Sequence, residues 1–209
     1  MLALLNFADD WIRKGGLLVL ALIVFAETGL LVGFFLPGDS LLFFAGFLAS
    51  AAGGRVLPGG LPVVAVVAFL AAVVGDQVGY LIGRRVGPSV FTQPRSRVFD
   101  PDNVVRAQAF FDRHGSKTIV LARFVPVVRT FTPVIAGDGR MRYRTFIAFN
   151  VIGGFIWAVG VTTLGFYLGN VTFIKNNIEL VAVLIVAISV APMAIEYWRH
   201  RRRTVVPEA

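Results

Sequence analysis

Long apolar runs separated by short polar stretches make up most of the chain. A helix needs about 20 predominantly apolar residues to cross a bilayer. The runs at 63–83, 145–168 and 178–198 reach this length, and each is predicted to be a transmembrane helix. The runs at 17–52 and 117–137 are interrupted by proline, and each is predicted to be a helical hairpin.

Proline and glycine indicate where the two hairpins turn. A proline lacks a backbone N–H and forces the residue before it out of helical geometry. In the stretch LARFVPVVRTFTPVIAG, which covers 121–137, a turn at Pro126 lets Arg123 and Arg129 face one cavity. In a continuous helix these two arginines would point about 240° apart. The residues assigned to the two breaks are Pro37, Gly38, Pro126 and Pro133.

The composition is typical of a membrane protein. Of the 209 residues, 56% are hydrophobic and 15% are charged, and the mean hydropathy is +0.77. Charged residues at 9–14 precede the first apolar run, so no cleaved signal peptide is expected. Residues 1–16 are predicted to form an amphipathic segment that lies flat in the membrane interface.

Basic residues cluster in three places and predict the topology. The formal net charge is +8, and arginine and lysine are concentrated in 84–116, 140–144 and 199–209. Segments rich in these residues stay on the cytoplasmic side. Both ends of 117–137 are then cytoplasmic, so this hairpin is predicted to be re-entrant. Contact with anionic head groups or a partner is the alternative interpretation of these charges. No nucleic-acid partner is expected.

The predicted fold is an all-α integral membrane protein made of two inverted repeats. Each repeat is a re-entrant hairpin followed by a spanning helix, and the two hairpins enter from opposite faces. The similar segments GYLIG at 79–83 and GFYLG at 165–169 support this pairing. The membrane domain at 17–169 is followed by the added helix at 178–198 and the cytoplasmic tail at 199–209.

Four charges inside the hairpins are the candidate functional groups. Each costs about 2.5–3.5 kcal/mol at mid-membrane if it is unpaired, so Glu27 and Asp39 are predicted to meet Arg123 and Arg129 in a polar cavity. Forked guanidinium groups suit a phosphate, and a carboxylate freed from its arginine can carry a proton. The alternative is an ion-pair network that only holds the hairpins together.

Asp76 is a fifth charge within an apolar run, and its role is left open. It either bonds hydroxyl groups or Asn150 across a helix interface, or it joins the proton path. Asn150, Trp157 and Tyr167 are expected to anchor the second spanning helix rather than contact a substrate. Glycines at every fourth position predict a flat surface for helix packing, at Gly75, Gly79, Gly83 and Gly87.

Residues for metal or covalent chemistry are scarce. The chain has no cysteine, and its two histidines, His114 and His200, lie in basic flanking segments. We therefore expect no metal site and no cofactor. A membrane phosphatase would need a nucleophilic histidine, a metal cluster or a serine with a base, so we do not expect an enzyme.

Several segments, taken together, resemble the bacterial DedA family, which is related to the eukaryotic VTT-domain lipid scramblases. The resemblance covers residues 20–170 and is carried by motifs at 27–40, 75–87, 111–137 and 150–169. It implies two opposed re-entrant hairpins in the bacterial plasma membrane. It also implies recycling of undecaprenyl phosphate with dependence on the proton gradient.

The resemblance assigns the family's essential acidic pair to Glu27 and Asp39 and its arginine pair to Arg123 and Arg129. The leading hypothesis is a transporter that moves an anionic polyprenyl lipid between leaflets, with protons as a second partner. Phospholipid scrambling, small-ion or drug antiport, and a scaffold without transport are the alternatives. The sequence leaves open whether the protein forms a homo-oligomer.

Overall fold

The computed structural model describes residues 2–30, 38–51, 53–54, 56–91, 109, 111–169 and 171. For 2–14, 86–91 and 126–127 the description covers the backbone alone. The predicted C-terminal helix at 178–198, the tail at 199–209 and much of the segment at 84–116 lie outside the described residues.

The described part of the chain is helical and contains no strand, so the predicted all-α class is confirmed there. We number the main helices in chain order as α1 (Leu2–Gly29), α2 (Gly38–Ala49), α3 (Gly60–Phe91), α4 (Thr118–Leu121), α5 (Pro126–Asp138), α6 (Tyr143–Gly154) and α7 (Gly160–Gly169). Short 3₁₀ turns at Gly115–Lys117 and Ala122–Phe124 lie on either side of α4.

Two helices are long and apolar enough to cross a bilayer, as predicted for 63–83 and 145–168. The first is the 26-residue stretch Gly60–Arg85 of α3, and the second is the continuous 27-residue helix Tyr143–Gly169. α3 continues to Phe91, past the predicted end of the span. The prediction ended at the first charges because hydropathy falls there, whereas charged side chains do not stop helical hydrogen bonding.

Two helices lie in the region of the first predicted hairpin, and residues 31–37 between them are outside the described residues. α1 runs without interruption from Leu2 to Gly29, and α2 begins at Gly38. α1 therefore continues across the predicted boundary between 1–16 and 17–52. The predicted break residue Pro37 falls outside the described residues, and the interfacial position of 1–16 stays a prediction.

The second break lies at Val125, which has extended backbone angles of φ −119° and ψ 103°. α5 starts at the next residue, Pro126, whose missing N–H is not needed at a helix start. Pro133 lies inside α5, so its assignment to a break is wrong. The physical reason is packing: Pro133 lies against Gly79 of α3, where a Cβ would be only 3.1 Å from its ring.

One turn of the second long helix is wider than the rest. Phe155–Val159 forms a π-helical turn between α6 and α7. Such turns contain an additional residue and are frequent at functional sites. The turn shifts the direction in which the side chains of α7 point relative to those of α6.

Glycines allow the backbones of neighbouring helices to come into contact. A Cβ at Gly46 of α2 would lie 1.9 Å from the carbonyl oxygen of Thr162, and one at Gly165 would lie 2.0 Å from that of Phe43. α3 and α5 meet in the same way, because a Cβ at Gly83 would lie 2.0 Å from the carbonyl oxygen of Val134. These crossings hold α2 against α7 and α5 against α3.

α3 also packs against α1, where the glycines are equally close. A Cβ at Gly75 would lie 2.0 Å from Thr28 Oγ1, and one at Gly29 would lie 2.7 Å from the carbonyl oxygen of Gly75. The Thr28 hydroxyl donates to the Val24 carbonyl oxygen at 3.0 Å. α3 thus lies between α1 and α5 and forms the centre of the bundle. The surroundings of Gly87 lie outside the described residues.

We expect Gly165→Ala to destabilise the protein, because the added methyl group would meet the Phe43 carbonyl oxygen. Overpacking of this kind costs about 1–3 kcal/mol. Gly160→Ala is the matched control in the same helix, since a Cβ there meets nothing within 4 Å. Thermal unfolding in detergent should show a lower midpoint for Gly165→Ala alone. Equal midpoints for the two variants would contradict the close crossing.

Candidate functional site

Arg129 lies in the first turn of α5 and is held by two carboxylates from the first hairpin. Its Nη1 donates to Asp39 Oδ1 at 2.7 Å, and its Nη2 donates to Glu27 Oε1. The Glu27 side chain is buried, whereas that of Asp39 is 45% exposed. Each arm of one guanidinium therefore has its own acceptor, and only one of the two acceptors is accessible.

Glu27 lies close to the backbone at the start of α2. A Cβ at Gly38 would be 1.4 Å from Glu27 Oε2, so a side chain at this position would displace the carboxylate. Among the described residues, Oε2 has no hydrogen-bond partner. The end of α1 and the start of α2 are thereby brought together at the same buried carboxylate.

Arg123 has different partners from Arg129, although both were predicted to pair with Glu27 and Asp39. Its Nη2 donates to Asp76 Oδ2 of α3 and to Asn150 Oδ1 of α6. The pairing with the two hairpin carboxylates is thus observed for Arg129 alone. Arg123 turns instead toward the two long helices because its 3₁₀ turn precedes the break at Val125.

Two adjacent glycines at the end of α6 make room for the Arg123 side chain. A Cβ at Gly153 would lie 3.1 Å from Arg123 Cδ, and one at Gly154 would lie 3.4 Å from its Nη2. Asn150 is oriented by a second bond, from its Nδ2 to the Val73 carbonyl oxygen of α3 at 3.2 Å. Arg123 is therefore surrounded by fixed groups on α3 and α6.

Trp157 of the π-helical turn connects the two arginines. Its ring centroid lies 5.1 Å from Arg129 Cζ and 5.8 Å from Arg123 Cζ, within the range of cation–π attraction. Its indole Nε1 donates to Asp39 Oδ1 at 2.7 Å. Asp39 Oδ1 consequently accepts from both Trp157 and Arg129.

A narrow cavity lies among these groups. Both arginines, Glu27, Asp76 and Trp157 line it, together with the threonines Thr28, Thr130 and Thr132. Its free interior space is about 10 Å³, which is about the room of one water molecule. A phosphate group can enter only if a side chain that now fills the site moves away.

The charged cluster has an excess of acid. Three carboxylates, those of Glu27, Asp39 and Asp76, face the two guanidinium groups, so the fully ionised cluster carries one net negative charge. No group of three or more histidine, aspartate or glutamate side chains among the described residues is placed to hold a metal ion. The cluster can exchange anions at its arginines and protons at its carboxylates.

The charged residues of the cluster were predicted from the sequence, whereas the contacts of Asn150 and Trp157 with them were not. Asn150 and Trp157 were assigned to anchoring, yet both bond to members of the cluster. The signal was their spacing, since residues seven apart lie near one face of an α-helix. An asparagine, a glycine pair and a tryptophan on one face of an apolar helix indicate a polar lining. Tyr167 is 64% exposed and lies away from the cluster.

The sequence is similar to those of known membrane proteins. The VTT domain matches residues 36–167. Protein DedA of Escherichia coli (strain K12) is 45% identical over 184 residues, which are 88% of this chain and 83% of that protein. An uncharacterized membrane protein of Mycobacterium leprae (strain TN) is 45% identical over 208 residues, covering 95% of this chain and 90% of the relative.

A more distant relative is the inner membrane protein YqjA of Escherichia coli (strain K12). It is 36% identical over 167 residues, which are 79% of this chain and 74% of that protein. No solved structure gives a significant match. The VTT match contains the first long helix, all but the last two residues of the second, and every residue of the charged cluster from Asp39 to Trp157.

We expect Asp76→Leu to destabilise the fold strongly, because it leaves Arg123 buried without its carboxylate. Breaking a buried ion pair costs about 3–5 kcal/mol. Arg123→Met alone should cost a similar amount by leaving Asp76 unpaired. The double variant Asp76→Leu/Arg123→Met should recover much of the loss, as measured by thermal unfolding. Additive losses in this cycle would contradict the pairing.

Proposed function

This chain belongs to the DedA family of VTT-domain membrane proteins, as its motifs predicted, and from that premise we propose that it moves an anionic lipid between leaflets. The proposed substrate is a polyprenyl phosphate such as undecaprenyl phosphate. The proposed site for its phosphate group is Arg129, with Arg123 as the second positive charge of the cavity. We propose no enzymatic reaction and no cofactor.

The observation that carries this proposal is the unequal hold of the two carboxylates on Arg129. Glu27 is buried and lies against Gly38, whereas the Asp39 side chain is nearly half exposed. A phosphate that displaces Asp39 would receive charge-assisted hydrogen bonds from the guanidinium fork. Arg129 would keep Glu27 during this exchange, so its position would not be lost.

The N-terminal ends of the short helices α2 and α5 favour binding of an anion near Arg129. α2 has 12 residues and α5 has 13, so they are about 18–20 Å long and too short to cross a bilayer. We propose that they are the second halves of opposed re-entrant hairpins. Asp39 and Arg129 lie within the first four residues of α2 and α5. The N-terminal ends of both helices therefore meet at the charges and contribute positive potential.

The apolar outer surface suits a substrate with a long hydrocarbon chain. Large hydrophobic side chains are exposed along the helices, among them Leu22, Leu70, Phe124, Phe155 and Leu164. In a bilayer this surface faces lipid, and a polyprenyl chain could stay there while its phosphate crosses at the arginines. The chain has no GxxxxGK[ST] loop, so we propose that no nucleotide drives the movement.

Proton coupling follows from the acid excess of the cluster. An anion on Arg129 leaves the Asp39 carboxylate without its guanidinium, in a cluster that already carries excess negative charge. Like charges at short distance are disfavoured in a medium of low dielectric constant, so a carboxyl group would take up a proton when the anion binds. We propose that the proton gradient of the bacterial plasma membrane drives exchange in this way, with the C-terminus cytoplasmic.

Cation antiport is the less favoured alternative. Its exchange site would be Glu27 and Asp39, but both carboxylates are bonded to Arg129. A small cation would have to enter beside a permanent positive charge. Phospholipid scrambling uses the same phosphate chemistry as the main proposal, and the assay below separates the two lipid classes.

We expect Arg129→Lys to lower lipid translocation at least tenfold, because an ammonium group cannot offer a planar fork to a phosphate. The measurement uses proteoliposomes with labelled undecaprenyl phosphate in one set, labelled phospholipid in another, and a pH step across the membrane. Arg144→Lys, an exposed position on α6, is the matched control. Wild-type protein that is folded and moves neither lipid would contradict the transport proposal.

We expect binding of the phosphate lipid to take up about one proton per anion. The pH of a weakly buffered solution of purified protein should therefore rise when the anion is added. Asp39→Asn should abolish this uptake, because the amide cannot accept the proton. A proton release, or the same uptake in Asp39→Asn, would contradict the proposed coupling at Asp39.

A further inference from the structure

We propose that Trp157 is a direct donor to the phosphate group and that Asp39 Oδ1 marks the position of one phosphate oxygen. This inference rests on the proposed function and adds a binding residue to it. In the structure, the Asp39 carboxylate then occupies the position that a phosphate oxygen takes when the ligand binds.

The first observation is the convergence of two donors on one oxygen atom. Arg129 Nη1 and Trp157 Nε1 each lie 2.7 Å from Asp39 Oδ1. One donor comes from the second hairpin, and the other comes from the π-helical turn of the long helix. An indole N–H donates and cannot accept, so this pair of donors needs an acceptor oxygen, and the charge of Arg129 favours an anionic one.

The second observation concerns the solvent exposure of the three side chains. The indole of Trp157 is 2% exposed and buried against both arginines, whereas the Asp39 side chain is 45% exposed. Asp39 has room to turn outward, whereas its two donors are largely buried. When Asp39 leaves, the two N–H groups lose their acceptor, which is unfavourable for buried donors. An incoming anion that restores both bonds removes this cost.

The third observation is the small size of the cavity. Arg129 and Trp157 line it, and its free space is about one water molecule, so a phosphate does not fit beside these two donors while the side chains keep their present positions. The partly exposed Asp39 is the acceptor that a phosphate can replace. Exchange of a carboxylate for a phosphate conserves the charge-assisted bond to Arg129 and the neutral bond to Trp157. The cost of opening the site is therefore offset by the same two contacts.

The test separates a role in binding the anion from a role in holding Asp39. Farnesyl monophosphate is titrated into the protein in phosphatidylcholine nanodiscs, and inorganic phosphate is titrated in parallel. Tighter binding of the farnesyl compound assigns the site to a lipid head group, and equal binding assigns it to free phosphate. Trp157→Phe keeps an aromatic ring beside the arginines and removes the N–H.

The decisive comparison uses the Asp39→Ala background. Asp39→Ala should bind the phosphate probe more tightly than the wild type, because the internal competitor is gone. Adding Trp157→Phe to Asp39→Ala should then weaken binding about tenfold, the effect of one lost hydrogen bond of about 1.4 kcal/mol. If Trp157 only positioned Asp39, its substitution would have no effect in this background, and the proposal would be overturned.

Two control proteins accompany the binding measurements. Ile156→Val, at an exposed position of the same π-helical turn, should leave binding unchanged. A protein with Trp11→Phe and Trp198→Phe retains Trp157 as its single tryptophan, and its emission should change when the probe binds. Calorimetric binding without a change in emission would overturn the proposal even if Trp157→Phe did not fold.

Failure of this inference differs from failure of the proposed function. If Arg129→Lys abolishes binding of the probe and Trp157→Phe leaves it intact, the transport site stands and the role of Trp157 falls. If the folded wild type and Asp39→Ala both bind neither probe, the anion site itself falls, and Trp157 falls with it.

Discussion

The bond between Arg129 and the two carboxylates of the first hairpin is the interaction on which the rest of the structure depends. It joins residues 90 and 102 positions apart in sequence, and it does so where water is scarce. Removing Arg129 leaves the buried Glu27 carboxylate without its partner, which costs far more than a surface ion pair contributes. The glycine crossings bring the helices close enough together for the side chains of Arg129, Glu27 and Asp39 to reach one another. Packing and charge pairing therefore impose the same geometry on the bundle.

Under the proposed function the cluster divides into a fixed part and an exchangeable part. Arg123 lies between Asp76 and Asn150, with glycines of α6 against its side chain, so it behaves as a permanent charge of the scaffold. Arg129 is bonded to one buried and one partly exposed carboxylate. Its bond to the exposed carboxylate can change while its position is kept. Trp157 contacts both arginines and separates the two parts. A site for repeated binding and release needs this division, because a cluster that was mobile throughout would lose its shape when the ligand left.

Much of this arrangement could be predicted from the sequence, and the failures have physical causes. The two long apolar helices follow from hydropathy, and the extended geometry of Val125 follows from the proline after it. The charges were identified because each is costly in lipid. The pairing of Arg123 with Asp76 could not be predicted, since it depends on which helices become neighbours. Pro133 was misjudged because a glycine on another helix makes room for it. The π-helical turn has no breaker residue to indicate it.

That turn also constrains how the sequence can vary in length. One residue added to or removed from a helix rotates everything beyond it by about 100°, so Phe155–Val159 sets the phase between Asn150, which faces Arg123, and Gly165, which faces α2. Homologues that lost a single residue here would keep every side chain needed for the cavity and the crossing, yet would direct them to the wrong partners. In this stretch the number of residues matters to the geometry of the site as much as their chemical identity.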